Sequence, residues 1–343
     1  TFATEQIPRV CRRVKRGYFF MHRALYALAT GLLATALTCT AADPSLLSLV
    51  MPDAKVVSGI HVDRSKTTPF GRYVLSQMQT KDQDLRKFVD QTGFDPRRDL
   101  DEIVIASTGT PDPAHTSPVR TLIVGRGAFD VARVAVAAKQ AGALTLNYHG
   151  VNILRQKEGA SKDGGMALLD GGTALIGDVA SIEAAIDQRQ AGSAAPSALL
   201  DKVRKISAAN DAWFVTLGTP AQFLNGKIAD PNLTGAMQGN LLATVQEASG
   251  GIRFGESAVS LTAEVVARSE KDATALADVI RFLAGMVQLN SAPGASKGAS
   301  LLENMQLSAQ ANVMTMSLAM PEDQLEQLLG AGRAPRKAAA VRP

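Results

Sequence analysis

The sequence predicts an α+β protein of two tandem modules, each ordered β-α-β-β-α-β-β-α, with mainly antiparallel sheets and the helices of each module on one face. Three observations lead there. Short Val- and Ile-rich stretches come in pairs joined by Gly-containing turns, the pattern of β-hairpins. Stretches with apolar residues three or four apart separate the pairs, the pattern of amphipathic helices. The order of elements then restarts at Ala212, as an internal repeat does.

In the first half, Lys55–Val62 is a strand and Pro69–Gln91 a helix, with Phe70, Tyr73, Val74, Met78, Leu85, Phe88 and Val89 along one face. Gly93 suits the position just past a helix end, and Asp95-Pro96 suits an N-cap followed by proline in the first turn. Strands follow at Glu102–Ser107 and Val119–Gly125, with Pro111, Pro113 and Pro118 between them. Asp130–Gln140 is a helix, and Thr145–Arg155 is a hairpin turning at His149-Gly150. A second hairpin, Gly165–Gly177, has Asp170-Gly171-Gly172 at its tip. Asp178 or Ser181 caps a closing helix, Ile182–Gln190.

In the second half, Trp213–Leu217 is a strand and Pro220–Ser249 is helical, with a break at Asp230-Pro231-Asn232. Gly251–Gly255 and Ala258–Arg268 form a hairpin, Lys271–Leu289 a helix, Leu302–Leu318 a hairpin, and Pro321–Leu329 a closing helix. The halves share element order and almost no residue identity, apart from Gly-Ala-Ser-Lys at 159–162 and again at 294–297. The expected organisation is a basic extension and signal peptide over 1–42, a first module over 43–190 and a linker over 191–210. A second module over 211–330 and a disordered basic tail over 331–343 complete it. The linker begins in the small-residue stretch Gln190–Ser197, and Ser291–Ser300 should be an exposed loop.

Met21-His22-Arg23, the uncharged run Ala24–Leu37 and the small residues Thr38–Ala42 have the layout of a secretory signal peptide, with cleavage near Ala41 or Ala42. The run has 14 residues, against the roughly 20 that a membrane-spanning helix needs. Both cysteines, Cys11 and Cys39, precede the cut, so the mature chain has no disulfide, zinc-thiolate site or cysteine nucleophile. Cys39 is also a candidate bacterial lipidation site, although Thr38 is larger than the residue expected before a lipidated cysteine. The mature protein is expected in the periplasm or secreted, with no transmembrane helix.

Charge follows the same division. The whole chain carries +4, but residues 1–42 hold six of its 36 bases and one of its 32 acids, which leaves 30 bases against 31 acids. The tail from Arg333 holds four more bases, so the body between has a net charge of −5. A fold-wide basic surface, required for nucleic-acid binding, is therefore missing.

No residue set announces a chemistry. His61, His115 and His149 lack the local spacing of a metal or catalytic site and read as structural or solvated. Gly125-Arg126-Gly127 is not a phosphate loop, and no Gly-x-Ser-x-Gly occurs. Asp95, Asp99, Asp101 and Glu102 cluster with Arg97 and Arg98, which reads as capping and surface ion pairing. Met314, Met316 and Met320 alternate along a strand whose hairpin partner carries Met305. Core packing accounts for that period better than Cu(I) binding. Asn232-Leu233-Thr234 matches a glycosylation sequon.

Thr92–Ile103 (TGFDPRRDLDEI) and Met166–Asp178 (MALLDGGTALIGD) resemble a group of uncharacterised exported bacterial proteins built from hairpin and helix repeats. The resemblance covers the first module well and the second in element order alone, and it implies no substrate, cofactor or site residue. The sequence-based expectation is a non-catalytic envelope protein that binds a protein or glycan partner, with no catalytic, metal or cofactor residues assigned. The alternatives are an envelope-polymer hydrolase using dispersed carboxylates such as Asp99 and Glu102, and a carrier holding a small apolar ligand between helix and sheet.

Overall fold

The computed structural model describes residues 41–77, 83–109, 119–155, 163–192, 197–218, 242–290, 304–322 and 324–325. The described residues all belong to one compact unit. From Pro44 the order is α1 (Pro44–Leu47), β1 (Val56–His61), α2 (Val62–Thr67), α3 (Pro69–Gln77), α4 (Gln83–Thr92) and α5 (Pro96–Asp99). Next come β2 (Leu100–Ser107), β3 (Thr121–Gly127), α6 (Val131–Gln140), β4 (Leu144–Tyr148), β5 (Val151–Arg155), β6 (Gly164–Leu168), β7 (Thr173–Asp178) and α7 (Val179–Ala191). The rest is α8 (Ser197–Ala209), β8 (Ala212–Leu217), β9 (Val245–Phe254), β10 (Ala258–Ala267), α9 (Glu270–Asn290), β11 (Met305–Gln310) and β12 (Val313–Pro321).

Local chemistry places several of these boundaries. Asp95 accepts from the Arg97 amide ahead of Pro96, Asp130 from Arg133, and Asp178 from Ser181, so α5, α6 and α7 each begin on a carboxylate that satisfies an otherwise unpaired N–H. Gly192, with φ 63°, ends α7 in the left-handed conformation. The β4–β5 turn needs positive φ at two successive residues, which His149 (49°) and Gly150 (82°) supply.

The described strands make one 12-stranded sheet ordered β11-β12-β10-β9-β8-β1-β2-β3-β7-β6-β5-β4, and neighbouring strands are antiparallel. One continuous sheet therefore replaces the separate sheet expected in each half. The join is β1 with β8, registered from Val56 opposite Thr216 to Ile60 opposite Ala212. It gives hydrogen-bond partners to what would otherwise be two free edges.

The larger core uses one face of the sheet. Val57, Val104, Leu122, Val124, Leu175, Ile153, Trp213 and Val215 project there and are buried against Leu46, Leu47 and Met51, against Ile182 and Ile186 of α7, and against Leu199, Leu200 and Val203 of α8. At its centre Gly59 lets the Trp213 indole settle on β1, because a Cβ at that position would collide with the ring and lie 2.8 Å from the Ile103 carbonyl oxygen. The smaller core is built from Ala248, Ala267 and Met314 with Ala273, Leu276 and Ala277 of α9. Ala248 is registered with Thr216, one residue out of step with Val215, so this core occupies the opposite face. A one-residue change of parity moves every apolar side chain across a sheet. Helices consequently lie on both faces of the sheet.

Two longer stretches differ from the sequence-based expectation. Residues 197–209, expected in the linker, form α8, and its Leu199, Leu200 and Val203 are core residues. Residues 245–249, expected at the end of a helix, belong to the first part of β9. Pro69–Gln91, expected as one helix, is helical over Pro69–Gln77 and from Gln83 onward, and 78–82 lie outside the described residues. The helix expected over 220–249 falls outside them as far as residue 241, as do most of the closing helix at 321–329 and the loop at 291–300. No described helix is long and apolar enough to cross a membrane.

Candidate functional site

Two features could carry function: a buried polar cluster where β1 meets β2, and open grooves on the sheet. The cluster arises because His61 and Glu102 are cross-strand partners on the core face. His61 Nδ1 lies 3.6 Å from Glu102 Oε1, and the side chains are 4% and 10% exposed. His61 Nε2 is 3.2 Å from the Ser207 carbonyl oxygen, so it is assigned the ring proton, which leaves Nδ1 as an acceptor facing the carboxyl. Both Glu102 oxygens lie 3.3 Å from the Asp43 amide nitrogen. Next to it, the Ala42 amide donates to Ser207 Oγ at 2.9 Å.

Burial pushes the Glu102 carboxyl up to about 7. Asp43 and Asp63 add to the rise, and the Asp43 amide and Arg126 oppose it. Burial also lowers the His61 pKa from its usual 6.5, with Arg64 reinforcing the shift. Charges around the cluster are tied down. Arg126 donates to Asp43 Oδ2 at 2.5 Å, and Arg64 pairs with Asp211 at 3.0 Å. Asp211 in turn accepts from the Phe254 amide at 2.7 Å. The interior here favours uncharged His61 and weakly ionised Glu102.

The first groove lies between α8 and the polar face of β10, β12 and β11 and encloses about 610 Å³. Thr262, Glu264, Thr315, Gln306 and Ser308 form an exposed floor, and Lys202 and Lys205 stand along the helix wall. Lys202 pairs with Glu247, and Ser308 and Thr315 join their hydroxyls at 2.8 Å. The groove reaches β11, which ends the described strands of the sheet on this side. A second groove of about 490 Å³ lies where the end of α6 meets Leu154, Met166 and Ile176, a mainly apolar lining.

The acidic run divides. Asp95 binds Arg97 and Asp99 binds Arg98, and these hydrogen bonds hold both carboxyls below the usual range. Glu102 instead points into the core, and no hydrogen bond or ion pair among the described residues joins it to Asp99. His149 lies exposed at a hairpin tip, 3.2 Å from Gln190 Oε1, whereas His115, Asn232 and Cys39 lie outside the described residues. Met314 is buried beneath α9 in the smaller core, with its face shared by Met305, Met316 and Met320. Among the described residues no group of three or more His, Cys, Asp or Glu side chains could hold a metal. The His61–Glu102 pair left no mark in the sequence, since its residues are 41 positions apart and meet only through strand register.

No family model matches the chain, and no curated protein matches it. Crystal forms I, III and IV of TP0453 align with TM-scores of 0.46, 0.46 and 0.47 and identities of 12%, 9% and 11%. They cover 84%, 84% and 86% of this chain and 97%, 98% and 98% of the other. These are distant neighbours and carry no functional argument.

Proposed function

We propose that this is a non-catalytic exported envelope protein, an interaction scaffold whose polar groove receives an extended segment of a partner protein. The observation that carries the reading is the groove between α8 and the exposed floor Thr262, Glu264, Gln306, Ser308 and Thr315. Alternating strand side chains present hydroxyl, amide and carboxylate groups there, and the edge of β11 can extend backbone hydrogen bonding to an added strand. The groove lining has no aromatic ring on which a sugar would stack, so a peptide segment fits better than a glycan.

Export is supported by the signal-like segment over 21–42, with the candidate cleavage sites Ala41 and Ala42 at its end. Lipidation at Cys39 is the alternative fate of the same segment. We read the body as two related modules because strand order runs outward in parallel from the β1–β8 join: β1, β2, β3, β7 on one side and β8, β9, β10, β12 on the other. The core on opposite faces is the main departure from exact repetition.

Fractionation of the native cell followed by gentle purification tests the reading. The expected result is processed protein in the envelope or outside the cell, co-eluting with a partner that is lost when Gln306→Arg and Thr315→Arg obstruct the groove floor. Protein found in the cytoplasm, or eluting alone and intact, contradicts it. The apolar lining of the second groove favours a second reading, carriage of a small apolar ligand between helix and sheet. Extraction of the purified protein with organic solvent and mass spectrometry would reveal such a ligand.

A further inference from the structure

Glu102 is 8% exposed, lies in a strand, and among the described residues has no Lys or Arg side chain within hydrogen-bond reach. A buried carboxylate without a counter-charge costs several kcal/mol or loses its charge. Here its main polar contact is a single backbone N–H, that of Asp43, placed 3.3 Å from each of its two oxygens. That nitrogen belongs to the residue immediately after Ala42, the second candidate cleavage position.

We propose that Glu102 is the binding site for a new chain terminus: the leader is cut between Ala42 and Asp43, and the resulting α-ammonium of Asp43 forms an ion pair with the Glu102 carboxylate. In the cut, water adds across the Ala42–Asp43 amide. The Ala42 carbonyl carbon keeps the hydroxyl and leaves with the leader as a carboxylate, while the Asp43 nitrogen becomes an amine and takes up a proton. One donor turns into three, and a neutral group turns into a cation, at the point where both carboxylate oxygens converge.

The same geometry discriminates between the two cleavage positions. Cleavage after Ala41 would leave the ammonium on Ala42, which is fully buried and whose nitrogen has the uncharged Ser207 hydroxyl as its hydrogen-bond partner. Cleavage after Ala42 puts the charge on the carboxylate. Asp43 cannot compete with Glu102 for its own ammonium, because its carboxylate is held by Arg126 and by the Ser45 amide and hydroxyl. Other charges near Glu102 are Asp63, Arg126 and His61, with Arg64 and Asp211 paired beyond the histidine. Burial of Ala42 in the folded molecule does not obstruct the cut, which takes place on the chain before it folds. The new terminus then anchors α1 against β2 once processing is complete.

The proposal rests on the reading of an exported protein, and the experiment separates the two. N-terminal sequencing and intact mass of the exported protein should give Asp43 as the first residue. The α-amine should resist acetylation by an amine reagent well above pH 8, where a free terminus, with a pKa of about 7.7–8.0, reacts readily. Two preparations released from a fusion, one beginning at Asp43 and one retaining Ala42, are then compared with and without Glu102→Gln. The substitution should lower the melting temperature by about 5 °C in the first and by less than half as much in the second. An exported chain beginning at Ala42 or elsewhere, a freely reactive α-amine, or equal losses in the two preparations overturns the pairing and leaves export standing. An unprocessed chain confined to the cytoplasm defeats export itself, and the pairing with it.

Discussion

His61 and Glu102 face one another across β1 and β2 with 3.6 Å between Nδ1 and Oε1, and burial shifts both toward their neutral forms. The two shifts act on stability in opposite directions. Glu102 is raised from an ordinary 4.5 to about 7, so the folded state holds its proton more firmly, and this contribution is present below pH 4.5 and lost as pH rises toward 7. His61 is lowered from 6.5, so its contribution is present above pH 6.5 and lost as pH falls. In a chain that keeps the amide at Asp43, the two contributions therefore oppose one another as pH changes below 6.5. Glu102→Gln leaves the histidine effect alone, and stability should then rise as pH is raised toward 6.5, as urea unfolding at several pH values would read. His61→Gln should give the opposite slope.

Gly59 and Trp213 give a prediction for the larger core. Gly59→Ala places a methyl group against the indole and near the Ile103 carbonyl oxygen, in a strand hydrogen-bonded on both sides. The cost of overpacking should be about 1–3 kcal/mol. Denaturant unfolding of this variant checks the value, and an unchanged midpoint would show that the ring does not rest on β1.

Part of this architecture was legible in the chain. The His149-Gly150 turn, the Asp170-Gly171-Gly172 turn and the Asp178 cap are local, so residue type alone identifies them. The helix α8 was not, because Ser, Ala and Pro just before it imitate a linker and its apolar stripe is only Leu199, Leu200, Val203 and Ile206. In β9 the run Ala248-Ser249-Gly250-Gly251 has little strand propensity. It is a strand because β8 and β10 pair with it on both sides. The joined sheet, the change of core face and the His61–Glu102 pair all depend on which strands become neighbours, information that no local window contains.

Ala311, at the β11–β12 turn, is held at φ 49°, a conformation that glycine adopts without a Cβ clash. Ala311→Gly should stabilise the protein by about 0.5–1 kcal/mol. A thermal scan should show a small rise in melting temperature, and a fall would mean that the turn adopts another conformation.

Asp178 closes β7 and opens α7, accepting from the Ser181 amide at 2.8 Å and the Ser181 hydroxyl at 2.9 Å. Asp178→Ala removes the cap and should cost about 0.5–2 kcal/mol. Asp178→Asn, which keeps an acceptor, should recover most of that loss.

The most direct test of the scaffold reading is site-specific photo-crosslinking in the native envelope, with a photoreactive residue placed at Gln306 in the groove floor or at Val136 on the exposed side of α6. The account predicts one discrete protein adduct from Gln306, abolished by Thr315→Arg, and none from Val136. Equal labelling from both positions, or no adduct from Gln306 in correctly exported protein, would contradict it.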